Sequence, residues 1–324
     1  MINTTAFGRR IAVCRKKRAL SQSELAERLG VTAQAVSKWE NGAALPTLDL
    51  LLELSHLYGI TINEMLEGEN IFETIAVRPY TMEDIAYFVP REERAYNRAW
   101  AKEIADGGWV ERNWQQCMRA SDKIYELLWE RIRPADGLHL EIGTGPGGGF
   151  MPYVLQHNPQ VRLIISDLSP TVVREWKRFL AREGNAPNLH YAALDFCDIP
   201  FADGSVDVVL DAGGIGNAEG DRGTALKEVC RILKPGGMLV TATGFVTKET
   251  LAALDSAVQK VLREQRPDIF ADLYEETVLA GFSTIDSVVT GGWNTDGDDS
   301  TIADLARSLG VNLHFTSYCR FCRK

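Results

Sequence analysis

A chain of 324 residues exceeds the ~100–150 typical of one domain, so two folded units are expected before any motif is read. An apolar share of 45% with 24% charged residues marks an ordinary water-soluble composition, and no apolar run approaches the ~18 residues a membrane span needs. The net charge of -9 excludes a chain that coats nucleic acid over its whole surface, yet residues 1–66 hold eight Lys/Arg against six Asp/Glu, a slightly basic head on an acidic body.

Cys14, Cys117, Cys197, Cys230, Cys319 and Cys322 form no framework and are expected to be reduced thiols of a cytoplasmic protein. Residues 5–66 read as short helices only. An amphipathic, basic helix covers 7–17. Ser21 followed by Glu24 forms a capping box that opens a second helix ending at Gly30. Thr32 caps a third helix that stops at Asn41-Gly42, Pro46-Thr47 starts a leucine-rich fourth, and 59–66 supplies a fifth. Domain boundaries follow: 1–68 as the head, 69–112 as a partly helical connecting segment containing Pro79 and Pro90, and 113–324 as the second domain.

In the head, the third helix buries Val36 and Trp39 on one face and offers Ala33, Gln34, Ser37 and Lys38 on the other. That face carries an amide able to bond an adenine edge and a cation suited to guanine or phosphate. The run from Ser21-Gln22 through Trp39-Glu40-Asn41-Gly42 to Pro46-Thr47-Leu48 resembles the phage-repressor (Cro-type) helix-turn-helix family over about 60 residues. The resemblance implies double-stranded DNA as partner of residues 1–66. Gln22 would brace the DNA backbone, with Thr32, Ala33, Gln34, Ser37, Lys38 and Asn41 at the interface. Arg9, Arg10, Arg15, Lys16 and Lys17 would add phosphate contacts. One such head binds weakly, so a homodimer is expected. A five-helix bundle used only to dimerise or bind a protein is the alternative.

From Asn113 the pattern changes. Apolar runs at 138–142, 163–167, 189–195, 206–211 and 238–243 alternate with glycine-rich or helix-periodic stretches such as 170–183 and 223–233. Further strands are read near 284–289 and 312–321, with a helix between them from Thr301. Alternation of this kind implies a doubly wound α/β sheet. The first strand runs into Gly143-Thr144-Gly145-Pro146-Gly147-Gly148-Gly149. Gly143, Gly145 and Gly148 also satisfy the dinucleotide spacing G-x-G-x-x-G, so an NAD site stands open on the loop alone. Three acids separate the readings. Glu141 precedes the loop, Asp167 closes the second strand in position for ribose hydroxyls, and Asp195-Phe196 closes the third beside an adenine-sized wall. S-adenosylmethionine has a use for all three, and NAD for one.

Residues 113–324 resemble the class I S-adenosylmethionine-dependent methyltransferases. The likeness runs through Leu194-Asp195, Ile199-Pro200-Phe201, Gly204-Ser205-Val206-Asp207 and Glu228-Val229-Cys230-Arg231-Ile232-Leu233-Lys234-Pro235-Gly236-Gly237. It implies an all-α helix-turn-helix domain followed by a Rossmann-like, seven-stranded methyltransferase domain whose last strand is antiparallel. It implies S-adenosylmethionine as cofactor, with contacts at Glu141, Gly143, Thr144, Gly145, Gly147, Asp167, Leu168, Asp195, Phe196 and Asp211. Pro152 fits only the first turn of the helix after the loop, and the run from Asp211 to Gly216 is richer in glycine than that family usually shows. Nucleic-acid amino methylation is disfavoured, because Asp211-Ala212-Gly213-Gly214 replaces the D/N-P-P-Y/F/W loop. A small-molecule acceptor is expected, with no catalytic residue assigned, no metal and no membrane partner; a non-catalytic sensor of the cofactor is the alternative. Trp100, Trp109, Trp114 and Trp129, ahead of the first strand, suggest either a lid or plain core packing.

Overall fold

The computed structural model describes residues 4–68, 70–82, 85–92, 98, 101–102, 104, 108–119, 123–132, 137–184, 188–216, 222–270, 272–296 and 301–324. The chain divides into two units, one built mainly from residues up to Thr74 and the other from Ile75 onward.

The first unit contains α1 (Thr4–Lys17), α2 (Gln22–Arg28), α3 (Ala33–Glu40), α4 (Leu48–Tyr58) and α5 (Ile62–Glu67). Helices this short do not persist alone in water, so caps and packing must hold them. The Ser21–Glu24 capping box is present in both directions, and Thr32 caps α3 by accepting from the Ala35 N–H. A second capping box, Thr61 with Glu64, opens α5. Phe7, Ile11, Leu25, Val36, Trp39, Leu54 and Met65 form the shared core.

Within that core lies an ion pair. The Arg15 guanidinium grips the Glu40 carboxylate with two hydrogen bonds, Nε at 2.6 Å and the second nitrogen at 2.9 Å, and also donates to the Leu20 carbonyl. Gln22 donates its amide N–H to the same carboxylate at 2.8 Å. Burial alone would raise the Glu40 carboxyl, but Arg15 and Gln22 overcome it and hold the group below its ordinary range. One network thus ties α1, α2 and the end of α3 together. Arg10 is likewise used internally, donating to the Met65 and Leu66 carbonyls. The expectation of phosphate contacts from Arg10 and Arg15 is corrected here, since both guanidiniums are committed to the head itself.

The second unit is built on a nine-stranded sheet in the order β1-β2-β5-β4-β3-β6-β7-β9-β8. Its strands are β1 (Thr81–Met82), β2 (Ala86–Tyr87), β3 (Leu138–Ile142), β4 (Arg162–Asp167), β5 (Leu189–Ala193), β6 (Val206–Asp211), β7 (Leu233–Val246), β8 (Thr284–Asn294) and β9 (His314–Arg323). Strands β5-β4-β3-β6-β7 run parallel, and β9 lies antiparallel between β7 and β8. These seven form the expected sheet. The two short strands from the connecting segment extend it beyond β5, with β2 parallel to that strand. Apolar side chains of β3, β4 and β6 are almost wholly buried, as fits parallel strands covered on both faces.

Helices α6 (Ile71–Ile75), α7 (Trp109–Arg119) and α8 (Lys123–Ile132) precede the sheet's central strand. Then come α9 (Met151–His157), α10 (Pro170–Arg182) and α11 (Arg222–Ile232) in the crossovers. Pro152 sits in the first turn of α9, where its missing N–H costs nothing. Helices α12 (Lys248–Ala253), α13 (Ser256–Gln265) and α14 (Tyr274–Leu279) fill a stretch for which the sequence predicts no element, and α15 (Thr301–Ser308) lies between β8 and β9. Among the described residues no helix is long and apolar enough to cross a membrane. The chain order leaves β3 toward β4 on one side and β6 on the other, and the crevice beyond their carboxyl ends is where open α/β sheets bind ligands.

Glu40→Gln leaves the Arg15 charge buried without its counter-ion, which costs about 3–5 kcal/mol. Hydrogen exchange on the full chain should show protection in α1 and α3 falling by roughly two orders of magnitude or more. Replacing both partners by methionine should restore most of it. Unchanged protection in Glu40→Gln would remove the network from the account.

Candidate functional site

The loop after β3 is fixed from below by Glu141. Its side chain is entirely buried, and Oε1 accepts from the Phe150 N–H at 3.1 Å, at the start of α9. Gly149 passes directly over that carboxyl with φ +60°, and a Cβ there would fall 1.8 Å from Oε1. Only glycine fits. Thr144 donates its hydroxyl to the Ser166 carbonyl at 2.9 Å, and Ser166 donates to the Glu141 carbonyl at 2.7 Å, stitching β3 to β4. Trp176 of α10 donates its indole N–H to the Gly145 carbonyl at 2.8 Å. Sequence reasoning missed Trp176; its one available signal was a polar N–H on an otherwise apolar helix face.

On the open side, Asp167 ends β4. Its two oxygens accept from the Gly145 and Ser169 N–H groups, each at 2.8 Å. The carboxylate is thereby held still and half-buried. Asp195 follows β5, where Leu194 N–H bonds the Asp167 carbonyl at 3.0 Å, and its Oδ1 accepts from the Cys197 N–H at 3.0 Å. The half-buried Phe196 ring lies 3.5 Å from the point where a Cβ on Gly143 would stand. Leu168 is half-buried beside Asp167, and Gly147 is exposed, with nothing within 4 Å of a Cβ built on it. The fold itself makes no demand for glycine at 147, which leaves room there for a ligand's approach. Gly143, Gly145, Gly147, Asp167, Leu168, Asp195 and Phe196 are thus gathered at the carboxyl ends of β3, β4 and β5.

Glu141 and Asp211 stand apart from that group. Asp211, at the end of β6, is fully buried and accepts from the Thr241 hydroxyl at 2.7 Å and the Ile215 N–H at 3.1 Å. Gly214 explains the glycine-rich run: a Cβ there would sit 3.0 Å from Asp211 Oδ1 and 3.3 Å from the Gly143 Cα. The loops after β3 and β6 therefore touch backbone to backbone. Burial pushes Glu141 well above the ordinary carboxylate range, with the neighbouring Asp211 adding to it against the Phe150 N–H. Burial likewise pushes Asp211 up to about 6, against its hydrogen bonds. Glu141 Oε2 is buried with no hydrogen-bond partner among the described residues. These residues fit a nucleoside carrying a charged amino-acid end: fixed carboxylates at two strand ends, an open glycine and an orphaned acid behind them.

Of the four tryptophans, Trp114 is buried against Phe179 with ring centroids 5.5 Å apart, and Trp129 lies 5.4 Å from His157. Trp109 is half-buried at the start of α7, and Trp100 lies outside the described residues. Trp114 is core rather than lid. Helix α7 still reaches the loop, since Asn113 donates its amide to the Pro146 carbonyl at 2.9 Å. Cys319 and Cys322 are both buried in β9 on opposite faces, and burial pushes each thiol up to about 12. In the head, Thr32, Ala33, Gln34, Lys38 and Asn41 are exposed along one side of α3 with Ser37 half-buried among them, while Gln22 points its amide at Glu40.

Glu141 and Asp211 keep their protons in the fold at pH values where the unfolded chain has lost them, so the fold binds more protons. Their contribution is most favourable below about pH 4 and declines as pH rises, Asp211's part being lost through its value of about 6. Asp211→Asn should remove Asp211's part, so the variant gains on the parent by up to about 1.4 kcal/mol per pH unit between pH ~4 and ~6. Denaturant titrations at several pH values measure this. A stability difference independent of pH would contradict it.

Comparison with known proteins follows the same division. Residues 11–65 match a family model described as helix-turn-helix, and residues 140–241 match one described as a methyltransferase domain. Over 65 residues the chain is 37% identical to the HTH-type transcriptional activator BcrR of Enterococcus faecalis, covering 20% of this chain and 32% of that protein. Over 142 residues it is 29% identical to an uncharacterized chloroplastic methyltransferase of Arabidopsis thaliana, covering 41% and 40%. Over 105 residues it is 34% identical to the ubiquinone/menaquinone biosynthesis C-methyltransferase UbiE of Geotalea daltonii, covering 32% and 44%. The chain spans less than half the length of these curated relatives. The chain therefore carries a helix-turn-helix domain matched over residues 11–65, followed by a methyltransferase domain matched over residues 140–241.

Proposed function

We propose that the second unit is a cytoplasmic S-adenosylmethionine-dependent methyltransferase acting on a small molecule, and that the head binds double-stranded DNA sequence-specifically as a homodimer. The observation that carries the enzymatic part is the Asp167 carboxylate, locked by two backbone N–H groups beside the open glycine loop. When bound, the cofactor supplies a methyl group on a sulfonium, poised for in-line displacement. Asp167 would hold the ribose hydroxyls, and Asp195 with Leu168 and Phe196 would position the adenine. The buried Glu141 and Asp211 hold the loops after β3 and β6 in place, and alignment alone can carry much of the rate of such a displacement. On the head, Gln34 and Lys38 offer the amide and cation of the reading face, with Thr32, Ala33, Ser37 and Asn41 around them. Two heads on half-sites about one helical turn apart would give useful affinity.

Purified full-length protein with methyl-labelled cofactor and a cell extract should release S-adenosylhomocysteine, and Asp167→Ala should lower that rate roughly tenfold or more. Cofactor binding without turnover would instead favour a transcription regulator that senses the cofactor. Mobility shifts on selected duplexes should weaken steeply with salt. Lys38→Ala should reduce the salt slope by about one, and Gln34→Ala should relax base preference by about 1–3 kcal/mol. Salt-independent binding, or none, would refute the role of the head.

A further inference from the structure

Residues 75–82 and 85–88 precede the stretch matched to the methyltransferase model, yet they are woven into the second unit. Ala76 forms an antiparallel bridge with Phe201. On either side of it, the Val77 N–H donates to the Pro200 carbonyl at 2.9 Å and the Ala202 N–H to the Ile75 carbonyl at 2.7 Å. Further along, β2 pairs with β5, and the Phe88 N–H donates to the Ala193 carbonyl at 2.9 Å. The Phe88 ring meets Phe201 edge-on, centroids 5.9 Å apart. This segment therefore grips the chain at Ala193 and at Phe201, before and after the turn that carries Asp195 and Phe196.

The turn itself is tight. The Asp195 carbonyl accepts from the Asp198 N–H and its Oδ1 from the Cys197 N–H, each at 3.0 Å. Its inner side is anchored to α11: the Ile199 N–H donates to Glu228 at 2.9 Å, and Arg231 donates to the Ile199 carbonyl at 2.7 Å. Its outer side is held by Arg78. That guanidinium donates to the Asp198 carbonyl at 2.6 Å and also pairs with the Asp198 carboxylate. The two side chains are 45% and 70% exposed, and an ion pair so open to water adds little stability. What it adds is direction. Two bonds to one residue fix how that residue sits, and Asp198 is the residue whose N–H holds Asp195.

Resting on the methyltransferase reading, we propose that Arg78 is a positioning residue for the adenine of S-adenosylmethionine, acting through Asp198 on the Asp195 carboxylate. A carboxylate accepts well from the adenine amino group only when its oxygen lies along the N–H direction, and the bond weakens steeply as that angle closes. Anchored on its inner side alone, the turn could rock about Ile199 and carry Asp195 off that line. Arg78 blocks the rocking from outside, and β1 and β2 anchor the segment that bears it. Ribose and amino-acid ends are served by Asp167 and the glycine loop, which Arg78 does not touch. Its loss should therefore blunt recognition of the amino group and spare the rest of the nucleoside.

The full chain is titrated by calorimetry with S-adenosylhomocysteine and with S-inosylhomocysteine, in which an oxo group replaces the adenine amino group. The parent should prefer the adenosyl ligand roughly tenfold or more. Arg78→Ala should cut that preference roughly fivefold or more, with S-inosylhomocysteine affinity held within about twofold. Introduced into Asp195→Ala, the same substitution should change the preference no further, because its route of action is already gone. Arg178→Ala, which breaks an exposed pair with Glu175 elsewhere in the unit, should keep the parent's preference. An unchanged preference in Arg78→Ala, an equal loss of both ligands, a further loss in the Asp195→Ala background, or a parent that binds both ligands alike overturns the proposal. A parent that binds neither ligand sinks the underlying methyltransferase reading, and this proposal with it.

Discussion

A carboxyl group buried under a glycine loop governs the second unit. Glu141 has no exposed surface, so its oxygen must find a donor inside the protein, and it finds the Phe150 N–H where α9 begins. That bond fixes how far the chain travels between strand and helix, and it forces Gly149 over the carboxyl, where no side chain could follow. Held from below by Glu141 and from the flank by Trp176, the loop presents Gly145 to the Asp167 carboxylate. The open face of the crevice is thus defined by an acid that does not line it.

The same economy operates after β6. Asp211 is satisfied by Thr241 and by the backbone of its own loop, and that loop must be glycine-rich to lie against Gly143. Two strand ends on either side of the switch point thereby share one narrow partition, with fixed carboxylates on one side and a cavity on the other. The head follows a separate logic: its helices are too short to stand alone, and the Arg15–Glu40–Gln22 network supplies the specificity of their packing.

Much of this was legible in the residues. The central strands read within a residue or two, because their apolar runs are continuous and end in glycine or aspartate. Ser21 with Glu24 and Thr32 marked helix starts, since a hydroxyl before an amphipathic run has a defined donor to accept from. Other features had no local signature. Strands β1 and β2 are two residues each, shorter than any period. Helices α12 and α13 present sparse apolar residues, such as Leu251 and Leu262, that make sense only once β7 and β9 are packed beside them. An acid near a strand tip gives no hint from sequence whether it faces solvent or core, so Glu141 and Asp167 looked alike although only Asp167 stands on the open side. Arg10 and Arg15 looked like phosphate contacts for the same reason, since Glu40, Met65 and Leu66, which accept from them, lie 25 to 56 residues away.

The central claim is that the Asp167 side of the glycine loop holds a sulfonium nucleoside and not a dinucleotide. Calorimetric titration of the full chain with S-adenosylhomocysteine, and separately with NAD, tests it directly. One equivalent of S-adenosylhomocysteine bound per chain with no heat from NAD is the expected result. Binding of NAD, or no heat from either ligand, would contradict it.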